Sequence, residues 1–462
     1  GKKKKKKKKK SRASKSETMM VILPEDVVFR ILLWLPVASI LQLKSVCKSW
    51  LSLIESSGFI SQHLHLHLHL QEEEEEEEEE EENVMIISHP YDYSTEPPVG
   101  IYLLSSSSGN NIFQVSEYLE LPSQLPSSYK IRMQGLGDLC HCIEVIACCD
   151  GLICTEVDYG FFFIFNPATK HFRLAFPTSS IPQYEEDQEE EDDEKFLENI
   201  PKSTDILSGG FISGFGFDFK TNDYKVVRVL QTIEYDVQMI MHTERYNQIN
   251  TQVEVYSLGT DSWTTIDADL PVLTVRPGLN INAPFRKRFF CWLGKTTHTV
   301  PASSSSSSYV ELGITTIFSF DFSKEVFETM PLPDVYSNIG DFNSVRLALL
   351  RDNIACIQWE GLLPWEKFVS NIWVLNEYGV KESWTKLYTL CLEPYTKPIG
   401  VLNNGWIICN EHDEEASNVS KLILCDPVTQ ETMNLPVQGN FVFNVAVYKE
   451  SLVSFKKCKS CD

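Results

Sequence analysis

The sequence lacks the features that place a chain in a membrane or send it out of the cell. Its 462 residues contain no run of about eighteen apolar residues, so we expect no transmembrane helix and no membrane partner. The residues before Leu23 are polybasic and include no apolar segment, so we expect no secretory leader. These absences favour a cytoplasmic or nuclear protein whose 13 cysteines stay reduced.

Motifs that carry enzyme chemistry are also scarce. The Gly-Leu-Gly sequence at 135–137 lacks the third glycine of a nucleotide loop. The Gly-Lys-Thr sequence at 294–296 lacks the glycine five residues earlier that a phosphate loop needs, and no G-x-S-x-G sequence occurs. Cys458 and Cys461 form a C-x-x-C pair without the two further ligands that a zinc site needs. The five cysteines between 140 and 154 are expected to be buried thiols. We therefore expect no catalytic residue, no cofactor and no metal.

The formal net charge of −23 is concentrated in tracts of one charge sign. Lysines fill Lys2–Lys10, and acidic residues dominate Glu72–Glu82 and Glu185–Glu194. The remainder of the chain is still acidic and would repel phosphates, so we expect no nucleic-acid partner. The lysine run favours a self-repelling tail over a nuclear-localisation patch. The run at Glu185–Glu194 could steer a basic client, although a solvated insertion is the simpler interpretation.

Residues 23–59 form the one stretch with dense helical periodicity. Apolar residues recur at i, i+3, i+4 and i+7, which predicts one face of a helix: Val28, Ile31, Leu32 and Leu35. Pro24 suits the first turn of this helix and Pro36 ends it. Ser39 is expected to cap a second helix from Ile40. A second apolar stripe, split over two short helices, contains Leu43, Cys47, Trp50, Leu51 and Ile54.

Three short helices cannot bury this much apolar surface by themselves. Trp34, beside the first stripe, adds to the surplus. We therefore expect this segment to complete its core against another protein.

The same residues resemble the F-box. Leu23-Pro24 opens the signature, Leu35-Pro36-Val37 stands at its first break, and Val46-Cys47-Lys48-Ser49-Trp50 closes it in the plant style. The family's F-box binds a Skp-type adaptor and so joins a cullin–RING ubiquitin ligase. The resemblance implies that the adaptor contacts Leu23, Pro24, Val27, Ile31, Leu35, Pro36, Val37, Leu41, Val46, Cys47 and Trp50. The alternative is an ordinary helical cap on the domain that follows.

A tract of alternating histidine and leucine, His63–Leu70, separates this segment from the rest. On a strand its imidazoles would share one face, a conceivable metal site, but nothing fixes their geometry and we favour a low-complexity linker. The expected organisation is a basic tail at 1–18, an F-box at 19–60, a linker at 61–82, a β domain at 83–455 and a C-terminal tail at 456–462. Met19-Met20 is the expected natural start.

From Asn83 onward the chain repeats an apolar strand, a polar turn and a second strand led by an aromatic. The copies lie at 161–174, 253–264, 317–328, 372–387 and 422–435. Each predicts a β-hairpin, and a hairpin with a preceding strand pair makes a four-stranded sheet. Radially arranged sheets form a β-propeller, for which we expect about five to seven blades.

The turn-plus-aromatic pattern resembles kelch repeats. The sequences at 150–154, 165–170, 214–218, 223–227 and 383–387 look more specifically like the plant F-box-associated domain. Floral S-locus and defence-regulating F-box proteins share this layout. The resemblance implies a small three-helix F-box followed by an all-β propeller. It also implies a non-catalytic substrate receptor of an SCF-type ubiquitin ligase, with Skp-type, cullin and RING partners and a client held by loops of one propeller face.

Two other functions are compatible with the same sequence. The chain could be a propeller hydrolase or a lectin-like binding protein with a structural helical cap, which predicts polar side chains converging in the central channel. It could also act with its adaptor outside any ligase.

Overall fold

The computed structural model describes residues 23–73, 83–90, 100–106, 113–120, 143–157, 161–177, 212–235, 246–268, 270, 273–275, 285–300, 310–333, 345–360, 367–413, 419–439 and 441–455. The basic tail, the acidic tract at 185–194 and the C-x-x-C pair lie outside these residues. The chain divides into two compact units, Gly1–Glu73 and Glu74–Asp462. None of the helices described here is long and apolar enough to cross a membrane.

The first unit contains four helices: α1 (Glu25–Leu33), α2 (Val37–Leu43), α3 (Lys48–Ile54) and α4 (Ser57–Glu73). Pro24 and Pro36 stand at the N-caps of α1 and α2, where a proline costs no helical hydrogen bond. The prediction that Ser39 caps α2 is wrong, because α2 begins at Val37 and Ser39 lies inside it. The split of the second apolar stripe over two short helices is confirmed.

Helix α4 extends into the region expected to be a linker. Phe59 and His63 lie on this helix and are buried. The Phe59 ring packs edge-on against Phe29 of α1, with centroids 5.4 Å apart, and stacks on His63 at 6.0 Å. The His63 Nε2 atom lies 3.0 Å from the carbonyl oxygen of Leu35. The start of the tract is therefore helical because it completes the core of the helical unit.

The second unit is a six-bladed β-propeller, which confirms the predicted fold class. Each blade is a sheet of four antiparallel strands. Blade 1 contains β1 (Asn83–Pro90), β2 (Gly100–Ser106) and β3 (Phe113–Glu120). Blade 2 contains β4 (Ile143–Cys149), β5 (Leu152–Val157), β6 (Phe161–Asn166) and β7 (His171–Ala175). Blade 3 contains β8 (Ile212–Asp218), β9 (Asp223–Tyr235), β10 (Tyr246–Ser257) and β11 (Ser262–Ile266).

The remaining blades follow in chain order. Blade 4 contains β12 (Leu273–Val275), β13 (Phe289–Val300), β14 (Val310–Asp321) and β15 (Val326–Pro331). Blade 5 contains β16 (Val345–Leu350), β17 (Asn353–Glu360), β18 (Phe368–Leu375) and β19 (Trp384–Leu392). Blade 6 contains β20 (Thr396–Val401), β21 (Ile407–Asp413), β22 (Val419–Cys425) and β23 (Thr432–Gly439). The last strand, β24 (Phe441–Val447), joins blade 1 beside β1.

Neighbouring blades contact one another around a complete ring: β24 with β4, β4 with β8, β8 with β13, β13 with β16, β16 with β20, and β20 with β24. These are the inner strands of their sheets except β13, which is the second strand of blade 4 after the three-residue β12. The apolar core fills the spaces between sheets. Between blades 4 and 5, for example, Leu293 and Ile317 pack with Leu347 and Cys356. Between blades 3 and 4, the glycines of the Gly-Phe-Gly-Phe sequence on β8 make room for the neighbouring sheet, since a Cβ atom at Gly214 would lie 2.7 Å from the Trp292 ring.

Tight turns at the strand ends share one construction. An Asn or Asp side chain accepts a hydrogen bond from the backbone N–H two residues further on and a second one from the residue after that, as Asp321 does from the N–H groups of Ser323 and Lys324 at 2.9 and 3.1 Å. At Asp218 the second donor is the Thr221 hydroxyl. The acceptors of these turns are Asn166, Asp218, Asp321 and Asp426. The residue four positions later is left-handed in each, with φ between 54° and 60°. These turns underlie much of the repeat seen in the sequence.

The turn at Asn166 also holds the C-terminal segment. Its side-chain amide donates to the carbonyl oxygens of Ser451 and Val453, at 3.0 and 2.8 Å, and the residue is fully buried. The chain following β24 is thereby joined to blade 2.

We predict that Asn166→Ala lowers the free energy of unfolding by roughly 2–4 kcal/mol, because two buried carbonyl groups lose their donor and the turn loses its acceptor. Chemical denaturation of the full chain measures this change. Asn434→Ala on the exposed face of β23 is the matched control and should change stability little. Equal stability of the two variants would show that the C-terminal segment is not held by Asn166.

Candidate adaptor-docking surface

The helical unit has a small core and a large exposed apolar surface. The core side chains are Leu32, Val37, Ile40, Ile54 and Phe59. The exposed apolar side chains, which we call the docking surface, are Leu23, Val27, Ile31, Trp34, Val46 and Leu51. Exposed fractions of 50% at Ile31 and 60% at Trp34 are large for these residue types. The surplus predicted from the sequence is therefore present even though α4 covers part of the core.

The docking surface follows from how the short helices divide their apolar residues. On α1, Leu32 points into the core while Val27 and Ile31 remain outside. Trp34 is the C-cap residue of α1 and projects beyond the helix end. The predicted stripe therefore does not form one buried face: α4 packs on part of it, and Ile31 is left uncovered.

The structure separates the residues predicted to contact the adaptor into three groups. The exposed group is Leu23, Pro24, Val27, Ile31, Pro36, Val46 and Cys47. The half-buried group is Leu35, Leu41 and Trp50. Val37 is only 6% exposed and packs in the core of the helical unit, and its contact with the adaptor stays a prediction.

Two exposed residues were missing from the predicted contact set. Trp34 stands next to the apolar stripe in the sequence, and Leu51 follows the closing tryptophan of the signature. Both lie at positions where helical periodicity alone does not separate core from surface. Their exposure became visible only with the packing of α4 against α1 and α3.

Cys47 has an environment that favours its thiolate. It is exposed at the N-cap of α3, and its sulfur lies 3.1 Å from the hydroxyl of Ser49. This hydrogen bond, with the backbone N–H groups of Trp50 and Ser49, lowers the pKa of the Cys47 thiol from its ordinary value. An exposed ion pair, Lys44 with Glu55 at 3.5 Å, bridges the end of α2 and the end of α3.

The two units match known families in the same order. Residues 21–62 match the F-box domain, and residues 101–455 match the F-box associated beta propeller domain. The chain belongs to the F-box proteins with an associated propeller. The family resemblance drawn from the sequence is thus confirmed over most of its length.

Its relatives include proteins of Arabidopsis thaliana. An F-box/kelch-repeat protein is 26% identical over 400 residues, which cover 84% of this chain and 85% of that protein. F-box protein CPR1 is 24% identical over 247 residues, covering 54% of this chain and 52% of that protein. Another F-box protein is 24% identical over 454 residues, or 95% of this chain and 86% of that protein.

The inner strands of the propeller line a small cavity. Its volume is about 50 Å³, and its walls come from β16, β20 and β24. Arg346 is the charged residue among mainly aliphatic neighbours, and it donates to the carbonyl oxygen of Ile399 at 3.1 Å. Burial lowers the pKa of the Arg346 guanidinium to about 10. Within the described part of the propeller and F-box, His, Cys, Asp and Glu do not gather in groups of three that could hold a metal ion.

We predict that His63→Ala weakens the packing of α4 on the F-box by about 2–3 kcal/mol, because a buried stacking contact and a contact to the Leu35 carbonyl are lost. Hydrogen exchange of amides in α1 and α4 should become faster. His65→Ala is the matched control on the exposed side of the same helix. Unchanged exchange in His63→Ala would mean that α4 is not part of the F-box core.

Proposed function

We propose that this chain is a substrate-receptor subunit of an SCF-type ubiquitin ligase in the cytoplasm or nucleus. The F-box docks on a Skp-type adaptor, and through it on cullin and RING subunits, while the propeller holds a client protein. The observation that carries the proposal is the docking surface, since residues that the F-box resemblance implies for adaptor contact, such as Leu23, Ile31 and Val46, are exposed rather than used in the fold.

Exposed apolar side chains of this size provide the energy for association. Fully burying one contributes about 1.5–3 kcal/mol. The loss of translational and rotational freedom on binding takes up a large part of the total, so a few well-buried anchors decide the affinity. Trp34 and Ile31 are the best candidates for such anchors, because both project well beyond the helical unit.

In this proposal the chain performs no chemistry of its own. The other ligase subunits carry and transfer ubiquitin, and the receptor raises the local concentration of client lysines near them. A rigid propeller suits that role because it presents a fixed surface for the client. The cavity beside Arg346 is small and mainly aliphatic, which suits a packed core better than a catalytic channel.

We predict that Ile31→Asp with Trp34→Asp weakens binding of a purified plant Skp-type adaptor at least tenfold, because two apolar anchors are replaced by charges that resist desolvation. Both side chains are exposed, so the variant should keep the unfolding temperature of the wild type. Biolayer interferometry with the immobilised full chain measures the affinity.

Val428→Asp supplies the matched control, because this residue is 79% exposed on the propeller and lies far along the chain from the F-box. Its adaptor affinity should equal that of the wild type. Adaptor binding that survives in the double variant would contradict the proposed docking surface, and binding lost equally in Val428→Asp would indicate a non-specific effect of charge.

A further inference from the structure

Three turns of blades 3 and 4 meet in one exposed surface of the propeller. We call it the turn surface and define it by Phe219, Lys220, Arg286 and Lys324. The end of β8 and the turn after it are joined to the neighbouring turns by two backbone donors. The Phe217 N–H, on β8, donates to the carbonyl oxygen of Lys287 at 2.7 Å, and the Phe219 N–H, in the turn, donates to the Ser323 hydroxyl at 3.1 Å. These bonds fix the three turns relative to one another.

Buried carboxylates beneath the turn surface are already neutralised. Asp218 pairs with Lys225 at 2.8 Å, Asp321 accepts two hydrogen bonds from Arg288 at 2.6 and 2.7 Å, and Asp150 pairs with Lys287 at 2.6 Å. Although burial opposes ionisation of Asp218, hydrogen bonds from Lys225, Thr221 and Lys220 lower its pKa to about 2. The acids below the surface therefore hold the turns together and are not available to a partner.

The outermost charges of the turn surface are positive. Lys220 and Arg286 are exposed. The Lys324 side chain is 60% exposed, and its contacts to Asp321 and Glu328 are long, at 3.9 and 3.8 Å. Glu325, Glu328 and Asp223 are partly exposed acids nearby. Glu325 is engaged by Lys225 at 2.7 Å, and Asp223 accepts hydrogen bonds from the Ser257 hydroxyl and the Gly259 N–H. Positive groups that point outward are a local exception on a chain whose net charge is −23.

An exposed aromatic ring lies among these positive charges. Phe219 is 58% exposed, and the rest of its ring packs edge-on against Phe217, with centroids 5.0 Å apart. The guanidinium of Arg286 lies over the Phe285 ring, 5.0 Å from its centroid, which limits the rotamers it can adopt. An anchored aromatic and a held arginine on adjoining turns match the composition of binding hot spots.

The backbone at Arg286 restricts which residues can replace it without strain. Arg286 and Lys287 both have left-handed conformations, with φ of 48° and 58°. Consecutive left-handed positions in a tight turn favour Asn or Gly. Arginine and lysine at these two positions therefore stabilise the turn less than Asn and Gly would.

We propose that the turn surface binds an acidic peptide segment of a partner protein, one with an apolar side chain beside its carboxylates. The apolar side chain packs on Phe219. The carboxylates pair with Arg286, Lys220 and Lys324, and the guanidinium can accept one of them in the two-bond geometry that arginine favours. The identification of this partner as the client rests on the proposed function. The binding of an acidic peptide to the turn surface does not depend on it.

A phage-displayed library of random peptides, selected on the immobilised full chain, tests this inference. The expected enriched peptides combine Asp or Glu with an aromatic or aliphatic residue. Synthetic versions should lose at least tenfold in affinity for the Phe219→Ser, Arg286→Asn variant and should bind more weakly at high salt. Asparagine tolerates the left-handed backbone of position 286, so this change should not unfold the turn.

Several outcomes would overturn the inference: no enrichment over the double variant, enriched peptides without acidic residues, or equal affinity for both proteins. A synthetic peptide of this chain's own residues 185–194 is tested alongside, and binding of that peptide alone would assign the surface to an intramolecular contact instead. Val428→Ser is the control for loss of an exposed apolar turn residue.

Adaptor affinity is measured on the same variants. Because the F-box is unchanged in the double variant and in Val428→Ser, this measurement separates failure of this inference from failure of the proposed function.

Discussion

The pairing of β24 with β1 is the interaction on which the propeller depends. These strands come from opposite ends of the β domain, and their register runs from Val84 opposite Val447 to Pro90 opposite Phe441. Without it blade 1 would lack its inner strand and the ring of inner strands would be open between β20 and β4. Such an opening would expose unpaired backbone groups and the apolar faces of two blades. The C-terminal segment extends the closure by continuing from β24 to Asn166 in blade 2.

The two units solve the burial of apolar surface in different ways. In the propeller each sheet covers its neighbours, so rings such as Trp292, Phe318 and Phe320 are almost completely removed from water. The helical unit is too small for that solution. Helix α4 supplies Phe59 and His63 to its core, yet Ile31 and Trp34 remain outside. An apolar surface that the fold does not use is what an adaptor-binding module needs.

Most of the fold could be predicted because its determinants are local. The hairpins were recognisable because turns such as those at Asn166, Asp321 and Asp426 are closed by hydrogen bonds within a few residues. Helix α4 was not predicted, since its alternating histidines and leucines do not follow a helical period. Its stability comes from non-local contacts, those of His63 with Leu35 and of Phe59 with Phe29.

The docking surface was predicted only in part, because some of its residues are set by local sequence and others by non-local packing. Leu23, Ile31 and Val46 could be named from the resemblance to the F-box, and they are exposed in the structure. The assignment of Val37 to the core and of Trp34 to the surface depends on how α4 packs, which periodicity in α1 and α2 does not contain. The turn surface could not be foreseen at all, because the turns that carry residues 219, 286 and 324 are brought together only by the packing of blades 3 and 4.

Calorimetric titration of the full chain with a plant Skp-type adaptor, repeated at several temperatures, tests the central claim most directly. Burial of the docking surface predicts one adaptor bound per chain and a clearly negative heat-capacity change, the mark of apolar surface removed from water. Failure of a folded chain to bind the adaptor, or binding with a heat-capacity change near zero, would contradict the account.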